Sequence, residues 1–434
     1  MREIDAREGL AAQLLQTDTC ALFYRLAQEL PGEQILLNLG RERLLVCQDC
    51  DSAQRVLREN PNNYHKNFAA FTTYFGSSRL TADGDQWRKL QKIGQPLIAQ
   101  VEAGQIIHET QAHYSIAASR ILDVASASPV VTIDPFIDHA AAAVVMQTVL
   151  GLDISDVPPS FYVNMRTVLS FCGEASMKVY DPSLKIEAKD TVGLENAYRE
   201  VRGIIGPLIV KAKETGRGNA NLERFYSAFK SDTELFGEFS TLLFAGFDTT
   251  SSTLCWALML LANKPGLQKQ LRNELRELAA GGKTSEDIIA QSMTLMALIN
   301  ETFRMFPPVP ILSRISVAED QLGATDIQAG QKVLLSIIGL HHDRNFWTLP
   351  SRMDIDRFPG GHLTEGLRMH FLPFSAGPRM CGGSKFAMTE LSIALATLLR
   401  DLRFEPVDQK PVRFQWGASL RHKDGVRLVV SHAV

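Results

Sequence analysis

The sequence predicts a mainly α protein with small β-sheets. Three observations carry this prediction. From about residue 50 to 305, most periodic segments place apolar residues at i, i+3 and i+4, the spacing of one helix face. Strand-like runs are short and confined to residues 33–47, 309–336 and 403–431. No internal repeat, low-complexity tract or Pro/Gly/Ser-rich linker divides the 434 residues, so 1–434 reads as one continuous domain.

Residues 4–30 suit an amphipathic helix, and alternating apolar positions in 33–47 suit a hairpin. Helical segments follow, one of them Asp85–Ile98, with stops at Pro61, Pro158-Pro159, Pro182 and Pro265-Gly266. Phe239–Asn263 is a long apolar helix, and another helix ends before Pro307-Pro308. Residues 345–380, rich in Pro, Gly and Arg, read as irregular, and a strong helix spans Ser384–Leu402.

Composition narrows the function. Hydrophobic residues make up 45% and charged residues 21%, as in an ordinary globular protein. The formal net charge of -3 makes nucleic acid and acidic membrane surfaces poor default partners. Charges interrupt the first thirty residues throughout, so neither a signal peptide nor a membrane anchor is expected. Phe239–Asn263 is long enough to span a bilayer, but it carries Asp248 with Thr241, Thr249, Thr250, Ser251 and Ser252. A carboxylate at bilayer depth is costly, so a buried helix and a cytoplasmic location are expected. Of the six cysteines, Cys47-Gln-Asp-Cys50 has redox or zinc spacing but no second Cys/His pair at zinc-finger distance, so a structural role is expected.

The most informative stretch runs from Phe374 to Ala387, F-S-A-G-P-R-M-C-G-G-S-K-F-A, just before the helix at Ser384. A cysteine there feels the positive helix end and nearby N–H groups, which lower the thiol pKa and favour thiolate. A thiolate is the axial ligand that promotes O–O cleavage at haem iron. In that setting Gly377 allows a tight turn and Gly383 a close backbone approach to a macrocycle. Phe374 can shield the sulfur from water, and Arg379 can pair with a haem propionate. The bland reading, a buried structural cysteine in a Gly-rich turn, would prevail for an isolated cysteine.

Here F-x-x-G-x-R-x-C-x-G-x-x-x-A is met at all six specified positions, and the stretch resembles the haem-binding loop of the cytochrome P-450 family. Glu301-Thr-Phe-Arg304, followed by a Pro-rich turn, resembles the family's buried Glu–Arg pair. Asp356-Arg357-Phe358 resembles the segment that supplies a third member, though Met353 and Ile355 stand where the family more often has Phe and Pro. The resemblance implies a structural role for Glu301, Arg304 and Arg357. Ala245-Gly-Phe-Asp248-Thr249-Thr250 resembles the oxygen-activating motif of a central helix. Gly, Asp and Thr weaken a helix interior, so an opened turn is expected there, with Thr249 hydrogen-bonding oxygen and Asp248 relaying protons. The alternative is hydroxyls bonded back to their own helix and Asp248 in a salt bridge.

The resemblance spans roughly residues 60 to 420 and implies a single prism-shaped domain holding haem b, with Cys381 as iron ligand. Trp87 and Arg88 stand where the family contacts a propionate. The usual W-x-x-x-R is broken by Gln91, so Arg88 or Lys92 substitutes, with Arg314 and His65 as further contacts. By analogy the substrate pocket takes residues near Phe68–Phe75, Phe171, Phe244–Ala245, Val309–Leu312 and Trp416–Ala418, with Phe75, Phe244, Leu312 and Trp416 among them. Their apolar character suits a terpenoid- or fatty-acid-like molecule. The implied activity is insertion of one oxygen atom of O2, with electrons from an external ferredoxin or flavodoxin and its reductase. Arg88, Lys89, Lys92 and Lys385 form a candidate docking patch. A peroxide-driven haem enzyme, a non-catalytic haem sensor and a haem-free helical protein are the competing readings.

Overall fold

The fold is built around one long helix, Asp232–Ala262, in a computed structural model that describes residues 1–7, 9–40, 43–178, 188–407 and 412–433. Ser231 starts this helix by accepting a hydrogen bond from the Glu234 N–H. The helix is apolar on nearly every side, which suits a position inside other helices rather than on a surface. Phe239, Leu243, Phe247, Leu254, Leu258 and Leu261 are fully buried. Around it pack Asp134–Val145, Met293–Met305 and Ser384–Asp401, the last lying also against Ala103–Ala127. The stop expected at Pro182 lies outside the described residues; Pro265 instead opens the next helix, Pro265–Ala280, at a position where its missing N–H costs nothing.

Beside the helices lies a mixed six-stranded sheet in the order Arg2–Asp5, Gln34–Asn38, Arg43–Cys47, Lys332–Ser336, Ile311–Ser316, Tyr64–Lys66. The expected hairpin is the Gln34–Asn38/Arg43–Cys47 pair, in register Leu36 to Leu45. The edge strand pairs antiparallel with Ile311–Ser316, which sets Lys66 opposite Arg314 and His65 opposite Ile315. A three-stranded sheet joins Leu402–Pro406, Arg427–His432 and Val130–Thr132, and a small hairpin joins Phe414–Trp416 to Leu420–His422.

The single helix expected over residues 4–30 is corrected. A strand, Arg2–Asp5, is followed by two helices, Gly9–Thr17 and Thr19–Glu29. The carboxylate of Asp18 accepts from the Ala21 N–H at 2.9 Å, capping the second helix and so ending the first. Among the described residues, no helix is long and apolar enough to cross a membrane. Cys47 closes its strand facing the core, and burial pushes its thiol up. Burial and the nearby Asp51 push the half-buried Cys50 up to about 11.

Candidate active site

The loop before Ser384–Asp401 is held by its own backbone. Gly377 has φ +69°, and a Cβ there would lie 1.8 Å from the Leu57 carbonyl oxygen, so only glycine fits. Cys381 donates its backbone N–H to the Phe374 carbonyl at 2.9 Å, closing the loop on itself. The Phe374 ring meets Phe303 edge-on at 5.1 Å, which ties the loop to Met293–Met305. A Cβ at Gly383 would sit 4.0 Å from the Cys381 sulfur, so Gly383 lies in ordinary contact distance of the sulfur.

Cys381 retains accessible surface although protein surrounds it on most sides. The sequence-based expectation of a lowered thiol pKa is corrected. Burial dominates and pushes the thiol up, while the Gly383 N–H and the positive charges of Arg79 and Lys66 pull it down. A thiolate there is therefore favoured first by the Gly383 N–H and then by the nearby positive charges, against the burial that opposes it.

A cleft of about 310 Å³ beside the loop is lined by His65, Lys66, Asp83, Trp87, Arg88, Arg314 and Arg379. Arg379 stacks over the Trp87 ring at 4.4 Å and donates to Asp83 at 3.1 Å and to the Ala82 carbonyl at 2.6 Å. Its Nε is buried without a partner among the described residues. Burial, followed by the charges of Arg379 and Arg314, pushes the Lys66 ammonium well down. A cluster of like charges with an orphaned donor is stabilised by an anion, so the cleft suits the carboxylates of an acidic cofactor. Arg88 lies at the rim, paired with exposed Asp85. Lys66 was not singled out by the sequence; its pairing opposite Arg314 is a property of the sheet.

On the central helix the residues of the A-G-F-D-T-T string divide between two faces. Ala245 is exposed and Thr249 half-buried, one turn apart, while Phe244, Phe247, Asp248 and Thr250 are buried. Ala245 and Thr249 thus form an accessible stripe on an otherwise buried stretch of the helix. The expected opened turn is not present: the helix continues from Asp232 to Ala262, and the Thr249 hydroxyl donates to the Ala245 carbonyl at 2.8 Å. The backbone thus stays closed, with that hydroxyl bonded back within its own helix.

Asp248 does not share the accessible stripe. Its carboxylate accepts from Arg421 at 2.7 and 3.0 Å, and Arg421 also reaches Asp138 at 3.1 Å and the Ser251 hydroxyl at 3.0 Å. Arg166 and Ser251 complete the set around fully buried Asp138. Arg421, Asp138 and Arg166 had no signature in the sequence, because the Phe414–His422 hairpin and two separate helices bring them together.

Glu301 and Arg304 are fully buried and paired twice, at 2.7 and 2.8 Å, and Arg357 stands 3.6 Å from the same carboxylate. Arg304 also donates to the His341 carbonyl, and Arg357 to the Leu349 carbonyl. The Asp354 N–H donates to Glu301 at 2.8 Å, so the network fixes the irregular segment that leads to the cysteine loop.

The pocket residues named from sequence also divide. Phe75 and Phe244 pack together at 5.1 Å and are buried, so they form wall rather than open surface. Phe171 meets Tyr74 edge-on at 5.5 Å. Val309 is 37% exposed and Leu312 half-buried. Trp416 packs against the N-terminal core that holds Leu22 and Leu26.

The sequence matches the family model described as "Cytochrome P450" over residues 9–430. It is 39% identical over 205 residues to leukotriene-B4 omega-hydroxylase 3 of Mus musculus, covering 46% of this chain and 39% of that protein. The chain thus spans well under half the length of that relative in the matched region. It is 26% identical over 357 residues to cytokinin hydroxylase of Arabidopsis thaliana, covering 76% of this chain and 67% of that one. It is 25% identical over 432 residues to the chloroplastic carotene epsilon-monooxygenase of the same plant, covering 91% and 79%. The crystal structure of CYP175A1 from Thermus thermophillus superposes with a TM-score of 0.75 at 19% identity, covering 99% of this chain and 100% of that one.

Proposed function

Because the chain belongs to the cytochrome P450 family, whose haem b is held through a cysteine thiolate, we propose that its 434 residues form one haem-thiolate monooxygenase domain with Cys381 as the iron ligand. The observation that carries this reading is the loop itself. It presents an accessible sulfur in buried surroundings beside a cationic cleft that suits two carboxylates. When bound, the haem supplies dioxygen binding and O–O cleavage, which thiolate donation favours.

The chain's own residues do the rest. Arg379, Arg314, Lys66 and His65, with Trp87 under Arg379, hold the carboxylates. Arg88 lies at the rim of the same cleft. Ala245 leaves room on the central helix, and Thr249 is the accessible hydroxyl there, able to hold an ordered water or hand on a proton once it lets go of the Ala245 carbonyl. Asp248 is the neighbouring acid; proton passage from it requires the Arg421 ion pair to open.

The substrate is an apolar small molecule, terpenoid- or fatty-acid-like, held near Phe171, Val309 and Leu312. Relatives named for leukotriene-B4 and carotene support that class. Electrons come from a ferredoxin or flavodoxin with its reductase in a cytoplasmic setting, docked on exposed Lys89, Lys92 and Lys385 with Arg88. Charge reversal at Lys89 and Lys92 that leaves the reduction rate unchanged removes that surface.

The deciding experiment is the reduced carbon-monoxide difference spectrum. A thiolate-type band in the wild type and its loss in Cys381→Ala are expected; haem uptake and absorption unchanged by C381A would refute the reading. The clamp on Asp248 favours one second reading, a peroxide-driven enzyme that needs no relayed protons. Turnover supported by hydrogen peroxide alone, and indifferent to Asp248→Asn, would establish it.

A further inference from the structure

One charged pair in the site wall has no part in the roles above. Arg79 and Glu238 are joined by contacts at 3.1 and 3.2 Å from the Arg79 Nε to both carboxylate oxygens, and by the Arg79 N–H at 2.7 Å. The Glu238 side chain is fully buried and that of Arg79 only 10% exposed. The guanidinium lies flat on the helix Gly84–Ala99: a Cβ at Gly94 would meet its Cζ at 2.7 Å and its Nε at 2.8 Å. The next residue, Gln95, donates to the carbonyl of Gly382 at 3.0 Å, beside Cys381. Arg79 is thus a fixed interior cation one residue away from the helix contact that seats the cysteine loop. Through Gly94 and Gln95 this cation stands next to the turn that carries the Cys381 sulfur.

We propose that Arg79, oriented by Glu238 and admitted by Gly94, is a positioning residue that tunes the Cys381 thiolate. Resting on the haem-thiolate reading, its charge draws electron density from the sulfur and raises the reduction potential of the bound iron. The physical reason is short-range electrostatics in a poorly screened interior. A cation there stabilises the more negative, reduced centre, and the carboxylate of Glu238 sets how much of that charge the sulfur feels.

The test uses the haem-loaded full chain. Glu238→Gln removes the countercharge, while the new amide oxygen still accepts from the Arg79 N–H; the reduction potential is expected to rise. Adding Arg79→Gln in that background is expected to lower it again by about 59 mV, the one-electron equivalent of a tenfold change in relative affinity for the two redox states. Arg79→Lys in the same background is expected to retain the higher potential, because it keeps the charge. Equal potentials in E238Q and R79Q/E238Q overturn the proposal, as does a lysine variant that behaves like the glutamine one. Should R79Q/E238Q fail to hold haem, an E238Q potential identical to wild type overturns it alone. A wild-type carbon-monoxide complex without the thiolate band is a different result: it removes the haem-thiolate reading before any variant is compared.

Discussion

Thr249 and Asp248 are neighbours in sequence with different surroundings. Thr249 has accessible surface and a hydroxyl spent on its own helix; Asp248 is 2% exposed and bound to Arg421. Replacing the hydroxyl leaves packing nearly intact but removes the one accessible proton-handling group of the stripe. Thr249→Ala is expected to slow product formation by up to about 10²-fold, the low end of a positioned acid's contribution, and to release more of the consumed oxygen as peroxide. Product and peroxide counted against electrons consumed check this. Arg421→Met leaves two buried carboxylates without this partner, and a loss of about 3–5 kcal/mol in unfolding free energy is expected from denaturant melts. The string A-G-F-D-T-T was legible in the sequence. The side from which Asp248 would be held was not, because Arg421 lies on a hairpin far along the chain.

At the scale of elements, the central helix and the helix Asp134–Val145 approach as closely as their side chains allow. A Cβ at Gly246 would lie 2.6 Å from a Val145 methyl carbon. Gly246→Ala is therefore expected to cost about 1–3 kcal/mol by overpacking, despite alanine's better helix propensity. Val145→Ala in the same chain is expected to recover much of the loss, and thermal melts of the three variants check it. Periodicity placed the hairpin at 33–47 and the helix from Ser384, where one face of each is buried. It failed over residues 4–30, where the apolar pattern runs on through Asp18 but a cap and a parallel strand partner divide it.

For the molecule as a whole, ion pairs pin the irregular segments to the helices and sheets. Glu301→Ala leaves Arg304 buried without its carboxylate, and about 3–5 kcal/mol of stability is expected to go with it, together with weaker haem retention. Asp320, against the upward push of burial, is held well below the usual carboxylate range by Arg55, the Gln321 N–H, Tyr64 and Asn60. A lowered folded pKa means stability that is present above the unfolded value of about 3.9 and lost as pH falls through the folded one. Asp320→Asn is expected to flatten the acid side of the stability profile, measured by urea melts at successive pH values.

The sequence by itself determined the mainly helical class, the cysteine loop and the stretches that carry the chemistry, because periodicity and short motifs are local properties of the chain. Only the tertiary structure decided which cations surround Cys381, which face Asp248 takes and which apolar residues are wall. Burial and charge at each site are supplied by residues up to hundreds of positions away, and no local pattern encodes them.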